Sequence, residues 1–255
     1  MAGRTETPMN VVAVIQHTAG EYLGLMEDHL EGRRIRFQYF RPFAGGRKLP
    51  APDLPADALV LLGGGPWGSA GERDLPTLAE EIALTRTCLD EGTPVIGIGL
   101  GAQILSIAAG GGAEPAGLVF ETLAVTRTRD DALNGFMPEA FSQVIYMRDR
   151  PLLPDDAVVL AEDPAGRPAV FQLGNNAFGF LGNPGIKRGM VEDLIMEFEE
   201  VPANTTQGLE MLSNLQSKIE DELVPLMTGL VQCTALMSSP KAAGTPRPKL
   251  DKQVI

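Results

Sequence analysis

Two cysteines, two histidines and one tryptophan are all that 255 residues hold of those types, and aromatic residues make up only 5%. Cys88 and Cys233 cannot build the disulfide framework of a small secreted domain, so a cytoplasmic setting fits. His17 and His29 give little material for a histidine-based metal site, and no cofactor is expected. Positive charge is scarce as well. Lys and Arg number 21 against 33 Asp and Glu, a net charge of −12. Phosphate neutralisation needs clustered cations, so the balance argues against nucleic acid as a partner. No run of 18 apolar residues occurs, so no membrane span is expected. The apolar stretch 11–15 is too short for a signal-peptide core. Internal repeats are absent.

What is present is an ordinary globular composition, 44% apolar, in a chain long enough to bury a full core. Residues 10–16 and 58–62 are continuous apolar runs, the pattern of strands buried on both faces. Between them Thr18 and Glu21 have capping-box spacing. Leu23, Met26 and Leu30 share a helical face that ends at Gly32, and residues 35–40 alternate as a strand. A second helix carries Leu75, Leu78, Ile82 and Leu89 and ends at Gly92. Residues 94–98 form a fourth strand that turns through Gly99-Leu-Gly101 into a helix. Strand and helix alternate, which predicts a doubly wound, mostly parallel α/β sheet with its site at the carboxyl ends of the strands. The stretch 118–180 is β-rich, with strand candidates 122–128, 157–160, 169–172 and 177–181. Two amphipathic helices follow, one on Val191, Leu194, Ile195 and Phe198, the other on Leu209, Leu212, Leu215, Ile219 and Leu223. Pro225 is expected to kink or end the second. The expected organisation is a flexible segment 1–9, a domain over 10–200, a helical extension over 201–237 and a disordered, mildly basic tail over 238–255.

Two glycine-rich turns stand out. Gly63-Gly-Gly-Pro-Trp-Gly-Ser69 follows a buried strand. Pro94-Val-Ile-Gly-Ile-Gly-Leu-Gly-Ala-Gln103 is a strand, a tight turn and a helix, the form of a nucleophile elbow. Together they resemble the class I glutamine amidotransferases, especially the stand-alone branch similar to the glutaminase domain of GMP synthase. That family writes its elbow Pro-Val-Ile-Gly-Ile-Cys-x-Gly-x-Gln and completes an oxyanion hole with an upstream Gly-Gly-Pro loop. The likeness extends over 105–112, 152–161 and Phe178-Gly-Phe-Leu-Gly-Asn-Pro-Gly185, which is similar to the family's Gly-x-Gln-Phe-His-Pro-Glu. It implies that Gly64, Gly65, Leu100 and Gln103 line a retained pocket, with the Gly65 and Leu100 N–H groups as oxyanion donors.

The departures carry the functional reading. Where the resemblance places the nucleophile, the base and the group orienting the base, this chain has Gly99, Asn183 and Gly185. A His-x-Asp element reads Met147-Arg-Asp149. Glycine supplies no nucleophile, and asparagine is no base near neutral pH. Cys88 and Cys233 lie in helices away from the elbow, and His17 lies at the correct sheet edge without a thiol. Glycine at the elbow should relieve the strain of a positive-φ residue. Plainer readings stand beside these: a loop for 63–69, a tie for the turn for Gln103, loop packing for Trp67, structural roles for both histidines. Glu197, Glu199, Glu200, Glu220, Asp221 and Glu222 read as solvated helix faces. The leading expectation is a catalytically inactive amidotransferase-like protein acting as a regulatory or scaffolding subunit, with a protein partner or a second copy of itself. The alternatives are an amidotransferase or γ-glutamyl/amide hydrolase with non-standard residues, and a small-molecule sensor.

Overall fold

A computed structural model describes residues 9–45, 49–51 and 56–238. The expected flexible segment falls outside the described residues except for Met9, and the expected tail except for Ser238. The elements run β1 (Val11–Ile15), α1 (Met26–Gly32), β2 (Arg36–Phe40), β3 (Ala58–Leu61), α2 (Leu78–Asp90), β4 (Val95–Ile98), α3 (Leu100–Ala108), β5 (Gly112–Glu114) and β6 (Val119–Arg127). After a 3-10 turn come β7 (Ala140–Met147), β8 (Arg150–Leu152), β9 (Val158–Glu162), β10 (Pro168–Leu173), β11 (Ala177–Phe180), α4 (Arg188–Glu197) and α5 (Thr205–Cys233).

Nine strands form one sheet in the order β2-β1-β3-β4-β11-β10-β9-β6-β7. From β2 to β11 every pairing is parallel. From β11 to β7 every pairing is antiparallel. Inside the edge strand β2, the parallel strands are buried on both faces, and the alternation within them shows it. In β1, Val12 and Val14 join the core under α1 and α5, while Ala13 and Ile15 join the core under α2 and α3. Leu59 and Leu61 of β3 face the second layer, and Ala58 and Val60 the first. That two-sided burial is why these strands read as unbroken apolar runs.

Three local expectations are corrected. Thr18 and Glu21 do not open a helix. The Thr18 hydroxyl does accept the Glu21 N–H at 3.1 Å, but residues 18–25 form a loop and α1 begins only at Met26. Gly24 takes φ +61°, which breaks any helix there. Pro225 does not end α5, which runs unbroken to Cys233. Leu226, Met227, Leu230 and Val231 beyond it are buried against the parallel half, and that burial outweighs one missing N–H. The strand Ala140–Met147 lies outside the strands expected from the sequence, although Phe141 to Met147 are all buried.

Candidate functional site

The elbow is built as its sequence demands. Gly99 caps α3 with φ +56° and ψ −113°, a conformation that costs a side chain ~1–3 kcal/mol and glycine little. Its N–H donates to the Phe180 carbonyl at 2.8 Å, which ties the elbow to the end of β11. A Cβ placed there would meet only the Gly63 Cα at 3.5 Å and the Leu181 carbonyl at 3.9 Å among the described residues. Cys88 is buried in the α2 core. Cys233 lies at the last residue of α5, and burial pushes its thiol up.

Residues 63–69 lie across this turn. A Cβ on Gly64 would be 2.3 Å from a Leu100 methyl, so a side chain there would have to displace Leu100. Gln103 is fully buried and bridges two segments. Its Oε1 accepts the Ser69 hydroxyl at 2.5 Å, and its Nε2 donates to the Arg148 carbonyl at 2.6 Å. Asp149 sits at φ +59°. Its carboxylate accepts the N–H groups of Ser69, Ala70 and Ala116 at 2.9–3.0 Å. The structure thus brings Gly64, Gly65, Leu100, Gln103 and Asp149 to one place at the carboxyl ends of β3 and β4.

Asn183 and Gly185 adopt a different geometry from a base and its orienting acid. The Asn183 side-chain Oδ1 accepts the Gly185 N–H at 2.9 Å, closing a local turn, and its Nδ2 is buried without a partner. Around Gly185 the chain is close-packed: a Cβ would lie 2.5 Å from the Leu23 carbonyl and 2.8 Å from the Met26 Cγ.

Several residues that sequence reasoning passes over or reads differently dominate the electrostatics. Glu21 is buried, and its Oε2 accepts the Gly65 N–H at 2.5 Å. That N–H is one of the two donors the resemblance assigns to an oxyanion, and here an internal carboxylate holds it. Burial pushes the Glu21 carboxyl up to about 7; the Gly65 hydrogen bond and His17 pull it back only partly. His17 places Nδ1 3.0 Å from the Gly63 carbonyl and Nε2 2.8 Å from the Glu81 carboxylate. Both partners offer acceptor oxygens, which favours the protonated ring. Burial pulls its pKa down, but the Glu81 charge and the two hydrogen bonds raise it on balance. Both ring nitrogens of His17 are thus engaged within the protein.

Of the acidic residues read as solvated helix faces, Glu197, Glu199, Glu220 and Asp221 are exposed, while Glu200 and Glu222 are half-buried, and Glu197, Glu200 and Glu222 hold specific partners. Glu197 accepts the Ala19 and Gly20 N–H groups, both at 3.2 Å. Phe198 lays its ring edge against Gly65. Glu200 bridges the guanidinium groups of Arg148 and Arg73, and Arg73 in turn covers the Trp67 ring at 5.2 Å. Glu222 accepts the Ser142 N–H at 2.8 Å. Glu200 carries no motif and the capping-box spacing of Glu21 points elsewhere; each is recruited by the way loops converge. Among the described residues no group of three or more His, Cys, Asp or Glu could hold a metal ion. No helix among them is long and apolar enough to cross a membrane.

Comparison with known proteins places this geometry. The Peptidase C26 family model matches residues 66–116, from the loop through the elbow helix to β5. No curated protein sequence matches the chain. Among solved structures, a glutamine amidotransferase from Methylobacillus flagellatus superposes with a TM-score of 0.76 at 20% identity, covering 93% of this chain and 99% of its own. A glutamine amidotransferase from Thermotoga maritima gives 0.74 at 23% identity, covering 89% and 99%. A putative GMP synthase subunit from Thermoplasma acidophilum gives 0.52 at 17% identity, covering 82% and 98%. The fold is that of the class I glutamine amidotransferases, with helices at its C-terminus.

Proposed function

We propose that this protein is a glutamine amidotransferase-like chain without glutaminase chemistry, serving as a regulatory or scaffolding subunit of a larger enzyme assembly. The packing around Gly185 carries this reading. Where an active homologue would need a carboxylate to orient its base, the Leu23 carbonyl and the Met26 side chain occupy the space. The neighbouring changes agree with it. Gly99 offers no thiolate to attack an amide. Asn183 spends its side-chain Oδ1 on its own turn. His17, whose ring reaches the Gly63 carbonyl of the site loop, has both nitrogens engaged by acceptors, which leaves it poorly placed to act as a base. An oxyanion hole alone contributes on the order of 10³–10⁴ over water in well-studied triads, and here one of its donors already holds Glu21.

The role in an assembly is supported by one similar structure being described as a putative GMP synthase subunit, and it is an analogy of fold. Purification from the native cell at physiological salt, with mass spectrometry of what accompanies the protein, tests it. A stoichiometric enzyme partner is the expected result. Recovery of the chain alone, or only with itself, contradicts this role.

A further inference from the structure

Successive residues of a strand point to opposite faces, and in β6 and β7 the two faces meet different surroundings. Phe120, Val144 and Tyr146 pack into the core under α4 and α5. Val119, Glu121, Ile145 and Met147 line a cavity of about 470 Å³ beneath the β5–β8 ribbon. That volume is the size of a small-molecule pocket, far above the voids left by ordinary packing. Ile145 and Met147 form a buried apolar wall. Leu152, on the ribbon, is left 48% exposed, apolar surface that the described residues do not bury.

The cavity is a compartment apart from the elbow. Its lining meets that region only at Leu181 and Asp149, and none of Gly64, Gly65, Gly99, Leu100 and Gln103 contributes to it. The Asp149 carboxylate is taken by the N–H groups of Ser69, Ala70 and Ala116.

The charges on the lining select the occupant. Four acids, Glu114, Glu121, Asp149 and Asp163, stand against Arg150 and Arg167. Arg167 pairs with Asp163 at 2.6 Å. Arg150 stands directly opposite Glu114 in the ribbon. Glu121 has no such neighbour. Its position across the ladder is held by Ile145, and Val119 beside it faces Met147. The Glu121 side chain is half-buried and makes no hydrogen bond or ion pair among the described residues. A carboxylate set among aliphatic side chains loses hydration, and the opposite charge that a cross-strand partner can supply is missing here. A cation entering the cavity supplies it. An anion would meet a lining that is acidic on balance, with each arginine already facing an acid.

We infer that this cavity binds a small organic cation, a primary amine on an apolar body. The ammonium sits on the Glu121 carboxylate, and the apolar body lies against Ile145, Met147 and Val159. No elbow residue takes part, so the site is independent of the presence or absence of glutaminase chemistry.

Isothermal titration calorimetry of the full-length protein tests this. The probes are hexylammonium and phenethylammonium chlorides, with sodium heptanoate as an anion of similar length, all at matched ionic strength. The wild type should bind at least one of the amines saturably, with one site per chain, and heptanoate more weakly. Glu121→Gln keeps the shape of the side chain and removes its charge, and should weaken amine binding by about tenfold. Val159→Trp fills the cavity and should abolish binding. Each variant is checked for native near-UV circular dichroism; if Val159→Trp fails that check, Glu121→Gln alone decides. Absence of saturable heat with both amines in the wild type would overturn the assignment. So would unchanged affinity in Glu121→Gln, or heptanoate bound as tightly as the amines.

Discussion

Two glycines that occupy neighbouring roles at the site are held there for opposite reasons, and substitutions separate them. At Gly99 there is room for a side chain, but φ is +56°. Gly99→Cys should therefore lower stability by about 1–3 kcal/mol through backbone strain alone, and should restore no glutaminase activity. An unchanged or raised melting temperature would remove the strain explanation. At Gly185 a Cβ meets a backbone carbonyl at 2.5 Å. Gly185→Ala should cost roughly 1–3 kcal/mol by overpacking, and Gly185→Glu still more, with the loss of native near-UV signal as the readout. Glu21 gives a pH dependence. Its carboxyl titrates near 4.5 when free and about 7 in the fold. Between those values the folded protein holds a proton that the unfolded chain has released. Stability contributed by this group is complete below pH about 4.5 and falls as pH rises through about 7, by at most about 3 kcal/mol. His17, also raised in the fold, adds a loss of the same sign above its ordinary value. Melting curves of Glu21→Gln should lose most of the decline between about pH 4.5 and 8; parallel curves for the two proteins would show that Glu21 does not titrate in this window.

At the scale of elements, α5 is a structural layer. Its second half supplies Leu226, Met227, Leu230 and Val231 to the core beneath the parallel strands. Leu226→Ala should cost about 2–5 kcal/mol, as a large-to-small change in a filled core does, measured by urea denaturation. Pro225→Ala should raise stability, because Pro225 leaves one turn of α5 without its hydrogen bond; a fall would mean that a bend at this residue is required for the packing. Elements are legible in the sequence where burial is two-sided or periodic. The strands β1, β3 and β4 are rich in Val, Ile and Leu, and α4 and α5 carry clean apolar faces. The strand β7 is not legible, because Ser142 and Gln143 interrupt its apolar pattern, yet both are buried. Gln143 donates to the Ala169 carbonyl at 3.2 Å, a contact no local pattern announces. The capping-box spacing of Thr18 and Glu21 misleads for a related reason. The local hydrogen bond forms, but the glutamate side chain is drawn into a tertiary contact with Gly65. The elbow and the Gly-rich loop can be read from sequence because their backbone shape itself requires glycine. Glu200 and Arg148 cannot, since they meet only through folding, 52 residues apart.

Across the whole molecule the sheet divides into two halves with different coverings. The parallel half is sandwiched by α1 and α5 on one face and α2 and α3 on the other. The antiparallel half holds α4 and the first half of α5 on one face. Against its other face, under the β5–β8 ribbon, is a cavity of about 470 Å³ lined by Val119, Ile145, Met147, Leu152, Val159 and Leu181. The elbow lies where the halves meet, beside the buried Gln103 and the close-packed loops, and the proposed reading is that it carries out no glutaminase chemistry. The direct measurement is the release of glutamate and ammonia from L-glutamine by the purified full-length protein. No release above a protein-free control is expected across neutral pH. Release that scales with protein concentration and vanishes in Glu21→Gln or His17→Ala would contradict the inactive reading and make one of those residues its catalyst.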